Sequence, residues 1–344
     1  MLSRVADSLF WISRYIERAE NIARSIDVNL CLLLDLPGED RHWDPVIQTA
    51  GCSRDFYHKY QKATSENVMD FLTLDTENPA SIINCVSIAR ENARCIRETI
   101  TLEMWLLINK FYHRLHEKNI KAEMLNNPHD FFTEIKEFCQ LYVGIQDGTM
   151  SHNEGWNFAW LGKMLERADQ TSRILDVKYY ILLPDVSMIG MSLDTVQWTA
   201  LLKSVSAFEM FRKTYSTVTP QNVSEFLLLN KECPRSIMYC LEHAERALNK
   251  ITETKFSNNG EKTKRVLGKL KSQPLTRSSQ KVYTKQSTTF NFGFRTSMPQ
   301  SETISSIALG RYNFGKIYFL QADFEKIKKT PSTGSLFFTE QIFS

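Results

Sequence analysis

From the start of the chain, apolar and small residues fall at Leu2, Val5, Leu9, Ile12, Ile16, Ala19, Ala23, Ile26 and Leu30, in strictly alternating steps of three and four. That spacing predicts one long amphipathic helix with a continuous seam for packing against other helices. The same periodicity predicts helices over roughly 43–62, 80–118, 128–146, 152–182, 193–215, 234–253 and 258–271. Breakers separate them: Pro37-Gly38, Asn127-Pro128, Pro184-Asp185, Pro220 and Pro274. Pro79 and Pro234 stand where a first helical residue belongs, a position at which the missing N–H costs nothing.

Compared with itself, the chain shows one unit twice. WISRYIERAENIARSIDV (11–28) aligns without gaps on WLGKMLERADQTSRILDV (160–177), with seven of eighteen residues identical. NVMDFLTLDTENPASI (67–82) aligns on NVSEFLLLNKECPRSI (222–237), with nine of sixteen identical. Ordinary composition would supply about one match in either window. The first pair is offset by 149 positions and the second by 155, and the latter also matches Trp43 with Trp198, Phe56 with Phe211, Tyr60 with Tyr215 and Cys85 with Cys240. The expected organisation is therefore a helical domain over 1–272, with repeats at 1–120 and 150–255 joined by a helical linker, followed by an atypical tail over 273–344.

The tail changes character abruptly. Its 72 residues hold ten Ser, nine Thr and nine of the 21 Phe, without Cys, Trp or His, and helical periodicity gives way to fragments that suggest short strands at best. Nine basic against four acidic residues give it +5, so residues 1–272 sum to −2 within a chain of +3. The second repeat is expected to lack a counterpart of the helix around Glu98–His116. A change of reading frame explains such a break in one step, and a swapped-in β segment is the alternative.

The rest of the composition narrows the class. At 344 residues, 42% hydrophobic and 24% charged, the chain is long enough to bury about three-quarters of its unfolded surface, with 13 Gly and 10 Pro too few for an all-β fold. The small net charge gives no push toward nucleic acid or an anionic membrane. Seven irregularly spaced cysteines without a CxxC pair read as reduced, buried thiols, and the charges of the first thirty residues interrupt any signal peptide or membrane span. These features place the expected protein in the cytoplasm.

MLSRVADSLFWISRYIERAENIAR at the start, GTMSHNEGWNFAWLGKMLERADQTSRILD in the middle and CPRSIMYCLEHAERALNKI later resemble the bacterial alpha-E family, over about residues 1–272. The resemblance implies an all-α fold, read here as an elongated bundle of two duplicated helical units with an irregular C-terminal tail. It implies no established reaction. It does imply association with ATP-grasp-type and transglutaminase-like proteins, and so a place in peptide synthesis or modification.

Each repeat carries the same charge pattern: Arg14, Glu17, Arg18, Glu20, Arg24 and Asp27 against Lys163, Glu166, Arg167, Asp169, Arg173 and Asp176. Exposed helical ion pairs contribute only ~0.3–0.5 kcal/mol, too little to account for a duplicated pattern. The pairs Glu17-Arg18 and Glu166-Arg167 border the apolar seam, where they either fix how helices dock or bind an anionic ligand. Arg14, Glu20 and Arg24 are secondary candidates for the same role. His152, Glu154 and Trp156 open the second repeat and offer an acid, a base and a stacking surface, or simply a helix entry.

Other chemistry finds no foothold. His113 and His116 lack the ExxH partner of a carboxylate-bridged metal site, and GRYNFGK (310–316) lacks the Ser/Thr of a phosphate loop because Ile317 follows its lysine. With neither a dinucleotide fingerprint nor a GxSxG elbow, no cofactor or metal is expected. Two readings remain. One is an accessory subunit of a peptide-forming or peptide-modifying system; the other is an enzyme acting on peptides or carboxylates through a Glu/Arg-lined pocket between the repeats. For the tail, limited proteolysis with mass spectrometry is expected to cut rapidly near Gln273 and leave a resistant core; a tail as resistant as the helical region contradicts that expectation.

Overall fold

The computed structural model describes residues 1–35, 43–181, 192–253 and Gly268, and among these it forms thirteen α-helices and no strand. The first unit comprises α1 (Ser3–Asp35), α2 (Asp44–Ala50), α3 (Ser53–Lys59), α4 (Ser65–Thr73), α5 (Ile82–Cys95) and α6 (Leu102–Leu115). Helices α7 (Ile120–Asn126) and α8 (Pro128–Thr149) connect it to the second unit. That unit comprises α9 (Glu154–Ile181), α10 (Ser192–Ser204), α11 (Phe208–Thr214), α12 (Pro220–Leu229) and α13 (Ile237–Glu253). The expected tail over 273–344 lies outside the described residues. So do the positions 257–270 that match α6 at the 155 offset, and the helix expected over 258–271, apart from Gly268.

Helices α1 and α9 pack along each other at the centre; α5 covers α1 in the first unit and α13 covers α9 in the second. Short helices cross over: α2 of the first unit touches α9, and α10 of the second touches α1. The two units also exchange core residues. Ala6 and Phe10 of α1 lie in the core of the second unit, while Ala159 of α9, which matches Phe10 at the 149 offset, lies in the core of the first. Close approach is possible because Gly162 has no side chain: a Cβ there would collide with the carbonyl oxygen of Phe10 and lie 3.1 Å from its carbonyl carbon.

Local signals recur 155 residues apart. Gly51 (φ 77°) and Ser206 (φ 53°) both adopt the left-handed conformation that ends a helix. Each closes the same pair of hydrogen bonds, Gly51 N–H to Gln48 O with Cys52 N–H to Ile47 O, and Ser206 N–H to Lys203 O with Ala207 N–H to Leu202 O. The hydroxyls of Thr64 and Thr219 cap α4 and α12 by accepting from the backbone N–H of Asn67 and Asn222. Phe56, Tyr60 and Phe71 form an aromatic triad with ring centroids 5.2–6.2 Å apart, and Phe211, Tyr215 and Phe226 form another at 5.1–6.2 Å. Trp43 and Trp198 are both fully buried.

The left-handed stops correct the sequence reading. The helix expected over 43–62 is two helices divided at Gly51–Cys52, and that over 193–215 is divided at Val205–Ala207. The one expected over 80–118 breaks after Cys95, and Thr101 restarts it by capping α6. Helices α4, α7 and α12 are too short for periodicity to reveal. The predicted seam of α1 is buried from Leu9 to Ile26, but Leu2 lies ahead of the helix and is exposed.

Gly162→Ala is expected to destabilise the protein by about 1–3 kcal/mol in denaturant unfolding, because the Phe10 backbone cannot move aside cheaply. Gly144→Ala on α8, where an added Cβ meets nothing within 4 Å, is expected to be neutral or to stabilise by up to ~1 kcal/mol. Equal effects at the two positions would contradict this account of the helix crossing.

Candidate functional site

Both central helices are largely covered: from Val5 to Leu30 and from Glu154 to Lys178 every residue is buried or only part-exposed. The polar face of each amphipathic pattern is therefore inside the protein, and its charges must find partners there. They find them across the seam. The carboxylate of Glu166 accepts from Arg14 Nε at 2.7 Å, from Arg14 Nη2, from Arg18 Nε at 2.6 Å and from Arg18 Nη2 at 3.1 Å. The carboxylate of Glu17 accepts from Arg167 Nε at 2.8 Å and Nη2 at 2.9 Å, and from Arg235 Nη1 at 2.6 Å. Arg18 matches Arg167 and Glu17 matches Glu166 at the 149 offset, so each unit's glutamate is clasped in bidentate fashion by the other unit's arginine.

The second arginine differs between the two sides. Arg14 completes the Glu166 site from within α1, but its match in α9 is Lys163, and the Glu17 site is completed instead by Arg235 from the turn before α13. Arg235 also donates to Asn21 Oδ1 at 3.0 Å and to Glu20 Oε1 at 2.9 Å, and Glu20 receives Arg24 at 2.6 Å. With its expected carboxylate already taken, Lys163 makes no hydrogen bond or ion pair with any described residue. It is only 8% exposed, and its ammonium lies 5.0 Å from the Trp160 ring centroid.

Acidities follow from this geometry. Burial pushes Glu17 toward higher pKa, but Arg167 and Arg235 outweigh it and hold the carboxyl at about 2. Glu166 is likewise held at about 2, burial being overcome by Arg14 and Arg18. Lys163 moves the other way: burial, reinforced by Arg167, brings it down to about 8, against the pull of Glu17. Burial raises Asp169 despite its bond from Arg173 Nε at 3.0 Å.

The primary candidates Glu17, Arg18, Glu166 and Arg167 thus come together, with Arg14, Glu20 and Arg24 in the same network. His152, Glu154 and Trp156 do not join it. Glu154 accepts the ammonium of Met1 at 3.1 Å, His152 Nε2 contacts the Asp147 carbonyl at 3.0 Å, and the His152 ring stacks on Trp156. Sequence reasoning missed Arg235, although the aligned windows hold its signal: Arg235 is matched by Ala80. Elsewhere Asp27, Cys31 and His129 bring a carboxylate, a thiol and an imidazole within 4.8 Å of one another, with Asp27 bonded to His129 and to Lys136 at 2.6 Å each. A cavity of about 90 Å³ also lies between the units, among Val28 and Asn29 of α1, Val46 of α2, Val177 and Lys178 of α9 and Leu201 of α10.

The fold and its inward-facing pairs define an all-α protein whose central helices are joined by Glu–Arg ion pairs. The chain belongs to the Alpha-E family, described as a predicted alpha-helical domain with a conserved ER motif, and the match runs over residues 1–303. It therefore continues some thirty residues beyond 272, where the resemblance was expected to stop. Uncharacterized proteins of Mycobacterium bovis and Mycobacterium tuberculosis are 22% identical over 278 residues, covering 75% of this chain. The chain matches only 31% of their length. No solved structure matches. Among the described residues, no helix is long and apolar enough to cross a membrane.

Glu166→Ala leaves Arg14 and Arg18 without their carboxylate and is expected to cost about 3–5 kcal/mol of unfolding free energy. Arg167→Ala should cost less, because Arg235 still holds Glu17. The carboxyls of Glu17 and Glu166 are depressed in the folded state, so their stabilisation is complete above their ordinary pKa of 4.5 and is lost as pH falls from there toward 2. Asp169, shifted upward, works in the opposite sense. Glu17→Gln and Glu166→Gln should each flatten the acid limb of a stability–pH curve; an unchanged acid limb in both would contradict the assignment.

Proposed function

We propose that the protein is an accessory or partner subunit of a peptide-synthesis or peptide-modification system, working beside an ATP-grasp-type ligase or a transglutaminase-like protein. The observation that carries this reading is the inward direction of the Glu–Arg motif: its charges are spent on each other across the α1–α9 seam, which makes the motif a device for holding a scaffold. The rival, an enzyme with a Glu/Arg-lined pocket between the repeats, loses support for the same reason. The cavity between the units is lined by other residues, and of the four primary side chains only Arg18 is as much as 27% exposed.

Two further observations favour a partner protein. Leu102 and Leu106 on α6 and Leu141 on α8 are each more than half exposed, on two helices that pack together. The mycobacterial relatives carry the similar segment as under a third of a longer chain, an arrangement in which a helical module works next to other domains. The choice of ATP-grasp-type or transglutaminase-like partner rests on the family resemblance alone.

The test is co-expression of the full chain with the ATP-grasp-type and transglutaminase-like proteins of its own host, followed by size-exclusion chromatography. A shared peak that Leu106→Glu or Leu141→Glu disrupts is expected. Separate elution of all three proteins at micromolar concentration would contradict the proposal.

A further inference from the structure

Beyond the ion-pair network, α9 and α13 display a strip of rings. His152, in the turn before α9, and Trp156 and Trp160 on α9 follow each other at i, i+4 spacing and stack, with centroids 4.3 and 5.0 Å apart and planes within 24° and 11°. On α13, Tyr239 and His243 repeat the spacing and stack at 4.0 Å and 26°. The two stacks meet at Trp160 and His243, where the rings are 6.1 Å apart and tilted by 58°, so neither ring covers the other's face. His152 is exposed and the other four rings are part-exposed.

The fold does not require these rings. At the matching positions of the first unit the chain has Ser3, Asp7, Trp11, Asn84 and Ile88, and the same helices form. Four of the five ring positions are therefore peculiar to the second unit. The neighbouring charge is peculiar to it as well. Arg14 is bound to Glu166, whereas its match Lys163 is displaced from Glu17 by Arg235 and sits beside Trp160 without an anionic partner among the described residues.

We propose that this strip and the Lys163 ammonium form a binding site for a planar ring carrying an anionic group, the ring packing at the open Trp160–His243 junction and the anion pairing with Lys163. Stacking supplies affinity without demanding one ring chemistry. A buried ammonium that feels Glu17 and Glu20 only at a distance and is bonded to neither supplies the preference for an anion, because a ligand that brings one into contact relieves the cost of leaving the cation without a direct partner. With a pKa of about 8, Lys163 is still largely charged at neutral pH. The site shares no residue with Leu102, Leu106 and Leu141, so it stands or falls independently of the accessory-subunit reading.

The experiment is isothermal titration of the full-length chain at pH 7 with three probes: N-acetyltyrosine (ring and carboxylate), adenosine monophosphate (ring and phosphate) and N-acetyltyramine (ring alone). One equivalent of at least one anionic probe is expected to bind, with the better of the two identifying carboxylate or phosphate as the anion. N-acetyltyramine should bind at least fivefold more weakly than that probe. Lys163→Met and Trp156→Ala should each weaken the binding at least tenfold. Lys163→Met removes an unpaired buried charge and is expected to keep or raise the melting temperature, so a lost signal in that variant is not a loss of fold. Failure of both anionic probes to bind at millimolar concentration, or binding that neither substitution changes, would overturn the proposal.

Discussion

Two charged helices buried against each other set the terms for the rest of the structure. Where α1 and α9 face each other, the ionised groups between them, Arg14, Glu17, Glu166 and Arg167 among them, have lost most of their water, and a lone buried charge costs several kcal/mol. The remedy is reciprocal: the glutamate of each helix lies between arginines, one of them always supplied by the opposite helix. The geometry also fixes register. Sliding α1 along α9 by one turn would separate both bidentate clasps at once and bring a backbone other than Phe10's against Gly162. Pairs of this kind add little net stability over a well-packed apolar seam, but they penalise every other alignment of the two helices. A duplicated unit that must dock with its own copy in one way has use for that penalty.

Much of this was legible in the sequence, for a physical reason. Long amphipathic helices write a 3.6-residue period that survives in a single chain, so α1, α8 and α9 lie close to where the periodicity puts them. The short helices do not. Helix α2 ends after seven residues at a left-handed Gly51, and α10 ends at Ser206 in the same conformation, although serine gives no such signal in the sequence. What periodicity understated was the extent of burial, since it put the Glu-Arg pairs only at the border of the seam. It marked the charged stripe of α1 as a polar face, while Arg14, Glu17 and Glu20 are as enclosed as the isoleucines beside them. Only the placement of a second helix on that stripe, which no local pattern encodes, turns solvated charges into an internal network.

The departures from the repeat are as informative as the repeat itself. The pattern of α1 and α9 predicts equivalent glutamate sites, yet Arg14 has become Lys163 on one side and Ala80 has become Arg235 on the other. Together these changes keep Glu17 fully paired and leave one ammonium over. Within the same unit, small or polar positions of the first copy have become His152, Trp156 and Tyr239. Packing cannot explain those rings, since the first unit builds the same helices without them. The core of the duplication is thus held constant, and the second unit carries the chemical variation.

The central claim, that reciprocal Glu–Arg pairing across α1 and α9 holds the two units in register, is tested most directly by a double-mutant cycle on Glu17 and Arg167. Unfolding free energies of the protein, Glu17→Gln, Arg167→Met and the double variant would be measured in urea at pH 7. The account predicts a coupling energy of about 2 kcal/mol or more, with the double variant more stable than the two single losses imply. Losses that add within ~0.5 kcal/mol would mean that the two residues do not depend on each other, and would contradict it.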